Sequence, residues 1–185
     1  MKILIVYGTT EGQTRKISRF MEQVLQDAGY FVTIADASDD PPSPAGFDAV
    51  MIGASIHMHK YQAAVEHYIR RNISALQQMP GAFFSVCLAI ASDLVDEQHE
   101  AEKIASDFLE RIQWEPLAVT TIAGALKYTE YDFFKRIIMK MISKREGRIT
   151  NTSQNYEYTN WNSVKQFAIA FADAVTKKLH TQHLN

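Results

Sequence analysis

The run Ile3-Leu4-Ile5-Val6-Tyr7-Gly8 has almost nothing polar to show to water, and it constrains the fold more than any other stretch of the chain. A half-exposed strand alternates apolar and polar side chains. A continuous apolar run must instead be covered on both faces, as the inner strands of a parallel sheet are. The same texture recurs, with strands expected over residues 2–7, 30–35, 49–54, 82–88 and 119–125. Helical periodicity fills the intervals at 13–28, 61–76, 97–112 and 160–179. The first helix gathers Ile17, Phe20, Met21, Val24, Leu25 and Ala28 on one face; the last gathers Val164, Phe167, Ala168, Phe171, Ala172 and Val175. Apolar strands alternating with amphipathic helices indicate an α/β fold with a parallel sheet covered on both sides. The segment Asp39-Asp40-Pro41-Pro42-Ser43-Pro44 is too rich in helix breakers to form a crossover helix, so an irregular connection is expected there. With 185 residues, no repeats and no linker-like stretch, residues 1–185 read as one domain with a sizeable core.

Between the first strand and the first helix lies Thr9-Thr10-Glu11-Gly12-Gln13-Thr14. The first turn of a helix carries unpaired backbone N–H groups and the positive end of the macrodipole, a natural seat for a phosphate. Thr9, Thr10 and Thr14 add hydroxyl donors, and Gly12 lets the backbone come close to a ligand. The loop has no G-x-x-x-x-G-K-[ST] and no G-x-G-x-x-G pattern, and Glu11 would repel a polyanion. A single monophosphate held by neutral donors fits best, as in flavin mononucleotide (FMN). The competing reading is a polar-capped connection with no ligand.

Composition narrows the classes further. A formal net charge of −2 argues against general nucleic-acid binding, which needs a strong basic field. One cysteine, Cys87, excludes an internal disulfide framework and any multi-cysteine metal centre. The chain enters its first strand at once and has no run long enough to span a bilayer, so the expectation is a cytoplasmic protein without signal peptide. His57 and His59 invite a metal reading. With only Glu66 or His67 on the following helix to complete a site, no metal is assigned, and a place beside a ring-shaped ligand suits them better. Cys87 reads as a small apolar residue at a strand end, and Trp114 and Trp161 as packing residues.

One segment breaks the alternation. Residues 127–159 form a connection longer than strand–helix units need, and long insertions are usually functional. Phe134, Ile137, Ile138, Met141 and Ile142 make an apolar helical stripe, with Arg136 and Lys140 opposite it and Lys135, Lys144, Arg145 and Arg148 nearby. A basic amphipathic helix suits a membrane surface, a partner or an anionic ligand. It equally suits a helix packed on the core with a solvated basic back.

The order of parts resembles the flavodoxin-like fold: a doubly wound, five-stranded parallel sheet of order 2-1-3-4-5. Here it carries a basic amphipathic insert after the fifth strand. In that fold ligands sit where strands 1 and 3 diverge. The resemblance implies that residues 9–14 take the phosphate of FMN, while Ser55, Ile56, His57 and Met58 after strand 3 and Cys87, Leu88 and Ala89 after strand 4 flank its ring. Gly53-Ala54-Ser55-Ile56, Met79-Pro80-x-Ala82-Phe83, Ile122-Ala123-Gly124-Ala125-Leu126-Lys127-Tyr128, Tyr131-x-Phe133-Phe134-x-Arg136-Ile137-x-Met139-Lys140 and Tyr158-Thr159-x-Trp161 look similar to the bacterial menaquinone-dependent protoporphyrinogen IX dehydrogenase family. That resemblance covers nearly the whole chain. It implies oxidation of protoporphyrinogen IX to protoporphyrin IX in haem biosynthesis, with menaquinone or another quinone as acceptor and peripheral contact with the inner membrane. Arg136, Lys140 and Lys144 would then meet the substrate's propionates or the lipid surface, and no side chain is assigned as a catalytic acid or base. The alternatives are a flavodoxin-like electron carrier serving protein partners, and an interaction protein that has lost flavin. A homo-oligomer is compatible with either enzyme or carrier.

Overall fold

The computed structural model describes residues 1–91, 95–126 and 156–182. Five strands, β1 (Lys2–Gly8), β2 (Phe31–Asp36), β3 (Ala49–Ser55), β4 (Gly81–Cys87) and β5 (Ala118–Ala123), form one sheet in the order β2-β1-β3-β4-β5. All four pairings are parallel, with Ile5 opposite Ile34 and Met51, and Phe83 opposite Ile52 and Val119. This is the order expected from the sequence. Helices α1 (Gln13–Asp27), α2 (Ala63–Leu76), α3 (Val95–Ile112) and α4 (Trp161–Gln182) supply the covering layers.

Because side chains alternate along a strand, each inner strand feeds two cores. Ile3, Ile5, Met51, Phe84 and Val86 pack under α1 and α4 with Ile17, Met21, Leu25, Phe171 and Val175. Leu4, Val6, Val50, Ile52 and Phe83 pack under α2 and α3 with Val65, Ile69, Phe108 and Leu109. β1, β3 and β4 are buried almost throughout, which is why their sequences have no polar alternation. Both edge strands depart from that pattern. Phe31 of β2 is 75% exposed and Val119 of β5 is 48% exposed, so an apolar run does not guarantee two covered faces at the sheet edge.

Three local details differ from the sequence reading or explain it. Ala28 lies at the C-cap of α1 and is exposed rather than part of the apolar face. The second crossover is irregular, with a single 3-10 turn over Pro44–Gly46 whose preceding Ser43 side chain accepts the Ala45 N–H. The expected strand over 119–125 is two pieces. β5 stops at Ala123, the Gly124 N–H donates to the Cys87 carbonyl, and Ala125–Leu126 (β6) pairs antiparallel with Tyr156–Glu157 (β7). The short ladder closes the base of the long connection. The basic stripe with Arg136, Lys140 and Lys144 lies outside the described residues. Among those described, no helix is long and apolar enough to cross a membrane.

Candidate functional site

β1 hands the chain to α1 and β2 on one side, while β3 lies on its other side, so the connections leaving β1 and β3 diverge and open a crevice at their carboxyl ends. A cleft occupies this place. Its wall takes Thr9, Thr10, Glu11, Gln13 and Thr14 from the first loop, and Ser55, Ile56 and His57 from the end of β3. Val86 and Leu88 close it from β4, and Gly124 and Ala125 from the turn after β5. The three loops singled out in the sequence therefore converge. Gly12, Met58, Cys87 and Ala89, expected at the ligand from the sequence, belong to these loops but do not line the cleft.

The first loop is built to leave donors unspent. Gly12 sits at the N-cap of α1 with φ of 86°, a left-handed conformation that favours glycine, and it offers no side-chain cap. Its carbonyl accepts the Lys16 N–H at 3.1 Å, so the N–H groups of Gln13, Thr14 and Arg15 have no partner within the helix. The Gly12 N–H donates to Thr9 Oγ1 at 2.8 Å, which leaves the Thr9 hydroxyl proton to point elsewhere. Thr14 Oγ1 is fully buried and has no hydrogen-bond partner among the described residues. Leaving a buried hydroxyl unpaired costs roughly 1–3 kcal/mol. A ligand made of acceptors, such as a phosphate, removes that cost and completes the helix N-terminus in one step.

The second loop is held from two sides. The Ile56 N–H donates to the Val86 carbonyl at 2.9 Å. His57 and Lys60 exchange backbone hydrogen bonds at 2.9 and 3.0 Å around Met58 and His59, both at positive φ (49° and 63°), as in a type I′ turn. His59 Nε2 reaches Glu100 Oε1 of α3 at 3.0 Å. Met58, at the tip of the turn, is 65% exposed. Among the described residues no group of three metal-capable side chains comes together. Burial pushes the half-buried Cys87 thiol up from its ordinary value, which disfavours the thiolate needed for nucleophilic chemistry.

Several residues that the sequence did not single out organise the cleft. Gln62 bridges the first two loops, donating from Nε2 to Thr10 Oγ1 at 2.9 Å and to Ser55 Oγ at 2.7 Å. Tyr61 donates to the buried Ser85 hydroxyl at 2.7 Å while its ring packs between Phe83 and Phe108, and burial raises its phenol pKa. Gln13 Nε2 donates to Glu157 Oε1 and to Thr159 Oγ1, and the Thr159 hydroxyl donates to the Ala123 carbonyl. Only Gly8 carried a sequence trace of this arrangement: an added Cβ there would lie 2.4 Å from Val65 Cγ2 and 3.1 Å from Gln62 Oε1, so α2 closes on β1 because residue 8 has no side chain. The tryptophans are packing residues, as expected: Trp114 is buried beside Phe83, and Trp161 packs at a tilt of 59° against Phe20, ring centroids 4.9 Å apart, with Lys16 Nζ 5.2 Å from its ring centroid.

A doubly wound sheet with a phosphate-ready loop at its switch point is the flavodoxin architecture, and residues 4–153 match the family described as a flavodoxin domain; the chain belongs to that family. It is 34% identical over 178 residues to protoporphyrinogen IX dehydrogenase (quinone) of Escherichia coli (strain K12), covering 96% of this chain and 98% of that one. A protein of the same name from Leishmania major is 34% identical over 173 residues, covering 92% of this chain and 74% of the relative. Among solved structures, a flavodoxin from the domain Archaea superposes with a TM-score of 0.56 at 16% identity, covering 95% of this chain and 99% of that one, a likeness of fold.

Proposed function

We propose that this chain, acting as a single unit over residues 1–185, holds FMN in the cleft. With it the chain oxidises protoporphyrinogen IX to protoporphyrin IX in haem biosynthesis and passes the electrons to menaquinone or another quinone. The observation that carries the cofactor reading is the buried, unpaired Thr14 hydroxyl beside the uncapped N-terminus of α1. The two relatives named for this reaction, aligned over nearly the whole chain, support the choice of substrate and acceptor.

In this reading Thr9, Thr10, Thr14 and the N–H groups of the first turn of α1 hold the phosphate. Ser55, Ile56, His57 and Leu88 bound the space for the ring, with Met58, Cys87 and Ala89 behind them. Bound FMN supplies the two-electron redox chemistry, and the protein contributes binding, orientation and electrostatics. No side chain is assigned as acid or base in this reading. Leu88 and Ile56 keep the ring side of the cleft apolar, which limits water there. Arg136, Lys140 and Lys144 provide cations for the propionates of the macrocycle or for an anionic lipid surface, bringing the protein to the membrane face where quinone is dissolved.

The decisive experiment is turnover. Protein purified with FMN bound should convert protoporphyrinogen IX to fluorescent protoporphyrin IX when a menaquinone analogue is supplied, without a protein electron acceptor. FMN-replete protein that exchanges electrons with redox proteins and leaves porphyrinogen untouched would overturn the enzyme reading in favour of an electron carrier.

A further inference from the structure

Gln62 occupies the N-cap position of α2, yet its side chain makes no cap for that helix. Ser, Thr, Asp or Asn would serve a helix start better. The Gln62 amide reaches away instead, across the gap between the first two loops of the cleft. Its Oε1 accepts the Ser55 N–H at 3.3 Å, and that contact fixes which end of the amide is which, because an N–H can meet only an acceptor. The Nε2 end must then donate, and it does so to both Thr10 Oγ1 and Ser55 Oγ.

The consequence lies in the hydroxyl protons. A hydroxyl that accepts from an amide has its own proton left to donate. Thr9 is placed in the same state by the Gly12 N–H, and Thr14 Oγ1 has no partner among the described residues. Every hydroxyl of the first loop is thus left able to donate, and among the described residues none is committed to another acceptor. A phosphate monoester dianion is a cluster of acceptors with no proton to give. We propose that Gln62 is a positioning residue that sets the hydroxyl of Thr10 as a donor toward the phosphate and so makes the cleft selective for the phosphorylated flavin over phosphate-free flavin, its bond to Ser55 anchoring the amide. The proposal rests on the reading that the cleft holds FMN, and it extends that reading to a residue that need not touch the ligand.

Titration of the flavin-free protein with FMN and with riboflavin, followed by flavin fluorescence, tests it. Gln62→Glu keeps the length of the side chain and an acceptor for the Ser55 N–H. Its carboxylate would draw the protons of Thr10 and Ser55 toward itself. Gln62→Met removes the donor without adding charge. FMN should bind about tenfold or more weakly to Gln62→Glu and several-fold more weakly to Gln62→Met, since each phosphate hydrogen bond is charge-assisted. Riboflavin should change by less than about threefold, because it lacks the phosphate that the Thr10 hydroxyl serves. Equal weakening of both flavins, or unchanged FMN affinity in both variants, would overturn the proposal and leave Gln62 as a structural tie. If Gln62→Glu does not fold, the Thr10→Val background decides: there Gln62→Met should cost little further FMN affinity, and a fully additive loss would overturn the role. Failure of the unaltered protein to bind FMN, or to prefer it to riboflavin, would strike the cofactor reading itself.

Discussion

Gln13 Nε2 lies 2.7 Å from Glu157 Oε1, a hydrogen bond between residues 144 positions apart that joins the first turn of α1 to β7. Lys16 Nζ completes the contact at 2.7 Å from Glu157 Oε2, and Thr159 accepts a second hydrogen bond from Gln13. The strand on which the long connection returns is thereby fastened to the helix that offers its N-terminus to the cleft.

This fastening should titrate. The Lys16 hydrogen bond holds the Glu157 carboxyl below its ordinary value, with a further contribution from Gln13 opposing the cost of burial. A carboxylate with a depressed folded-state pKa adds stability above its unfolded value, and that stability is lost as pH falls through the folded value. Glu157 is 33% exposed and Lys16 58%, so solvent limits the gain to about 1 kcal/mol or less. The Glu157→Gln variant should therefore melt up to about 2–4 °C lower than the unaltered protein at pH 7. The gap should close only as pH falls below the ordinary glutamate range and through the lowered folded value, where both chains carry a neutral side chain. A gap independent of pH would mean that packing, not charge, sets the contact.

Gly12 makes a sharper case, because two demands fall on one residue. Its φ of 86° strains any β-branched side chain, by about 1–3 kcal/mol, and a side chain there would also crowd the helix N-terminus. Gly12→Val is expected to lower the melting temperature of the flavin-free protein and to weaken FMN binding by about tenfold or more, a loss of about 1.4 kcal/mol. Gly12→Asn, which tolerates the left-handed region, should keep much of both. Melting curves and FMN titrations of the two variants separate backbone strain from crowding. Unimpaired FMN binding by Gly12→Val would remove the phosphate from this loop.

The turn after β3 carries the opposite kind of strain, one that substitution can relieve. Met58 and His59 both have positive φ, where type I′ turns favour Asn and Gly. Met58→Gly should raise stability by roughly 0.4–1 kcal/mol while leaving the His59–Glu100 contact in place. Thermal melts of the flavin-free protein should show it as a rise of a few degrees at most. A fall instead would mean that the exposed Met58 side chain earns its position through contacts in the folded chain.

Most of the sheet was legible because its inner strands are buried on both sides and show no polar alternation, as in Ile3–Val6 and Val50–Ile52. The helices were legible from their stripes, to within two residues at most starts. The break at Gly124 was not: the run Ile122-Ala123-Gly124-Ala125-Leu126 is apolar throughout, and only the Gly124 N–H bond to Cys87 reveals where the sheet lets go. The loops of the cleft could be read from Thr9, Thr10, Thr14 and Ser55, whose side chains are donors following apolar strands. Gln62 and Glu157 could not. A glutamine before a helix and a glutamate after a long connection are ordinary in sequence, and their roles arise from partners brought close only by the fold.

The basic connection offers the prediction that reaches furthest into function. Arg136 and Lys140 stand opposite the stripe of Phe134, Ile137, Ile138, Met141 and Ile142 at helical spacing. Such a segment can combine apolar burial with attraction to anionic groups. Each cation near an anionic lipid surface is worth about 1 kcal/mol, so reversing both should be easily measured. The paired change Arg136→Glu and Lys140→Glu is expected to leave FMN content unchanged, because the proposed function assigns the phosphate to the loop before α1. It should lower porphyrinogen oxidation, or co-sedimentation with vesicles containing anionic lipid, or both. Raising salt should weaken the unaltered protein's response in whichever assay depends on charge, since a Debye length of about 8 Å at physiological ionic strength shrinks further as salt is added. A helix whose basic back is merely solvated predicts another pattern. Thermal stability would shift, vesicle binding would be absent before and after the change, and turnover per folded molecule would stay constant. That pattern would remove the connection from substrate and membrane recognition while leaving the cleft's cofactor reading untouched.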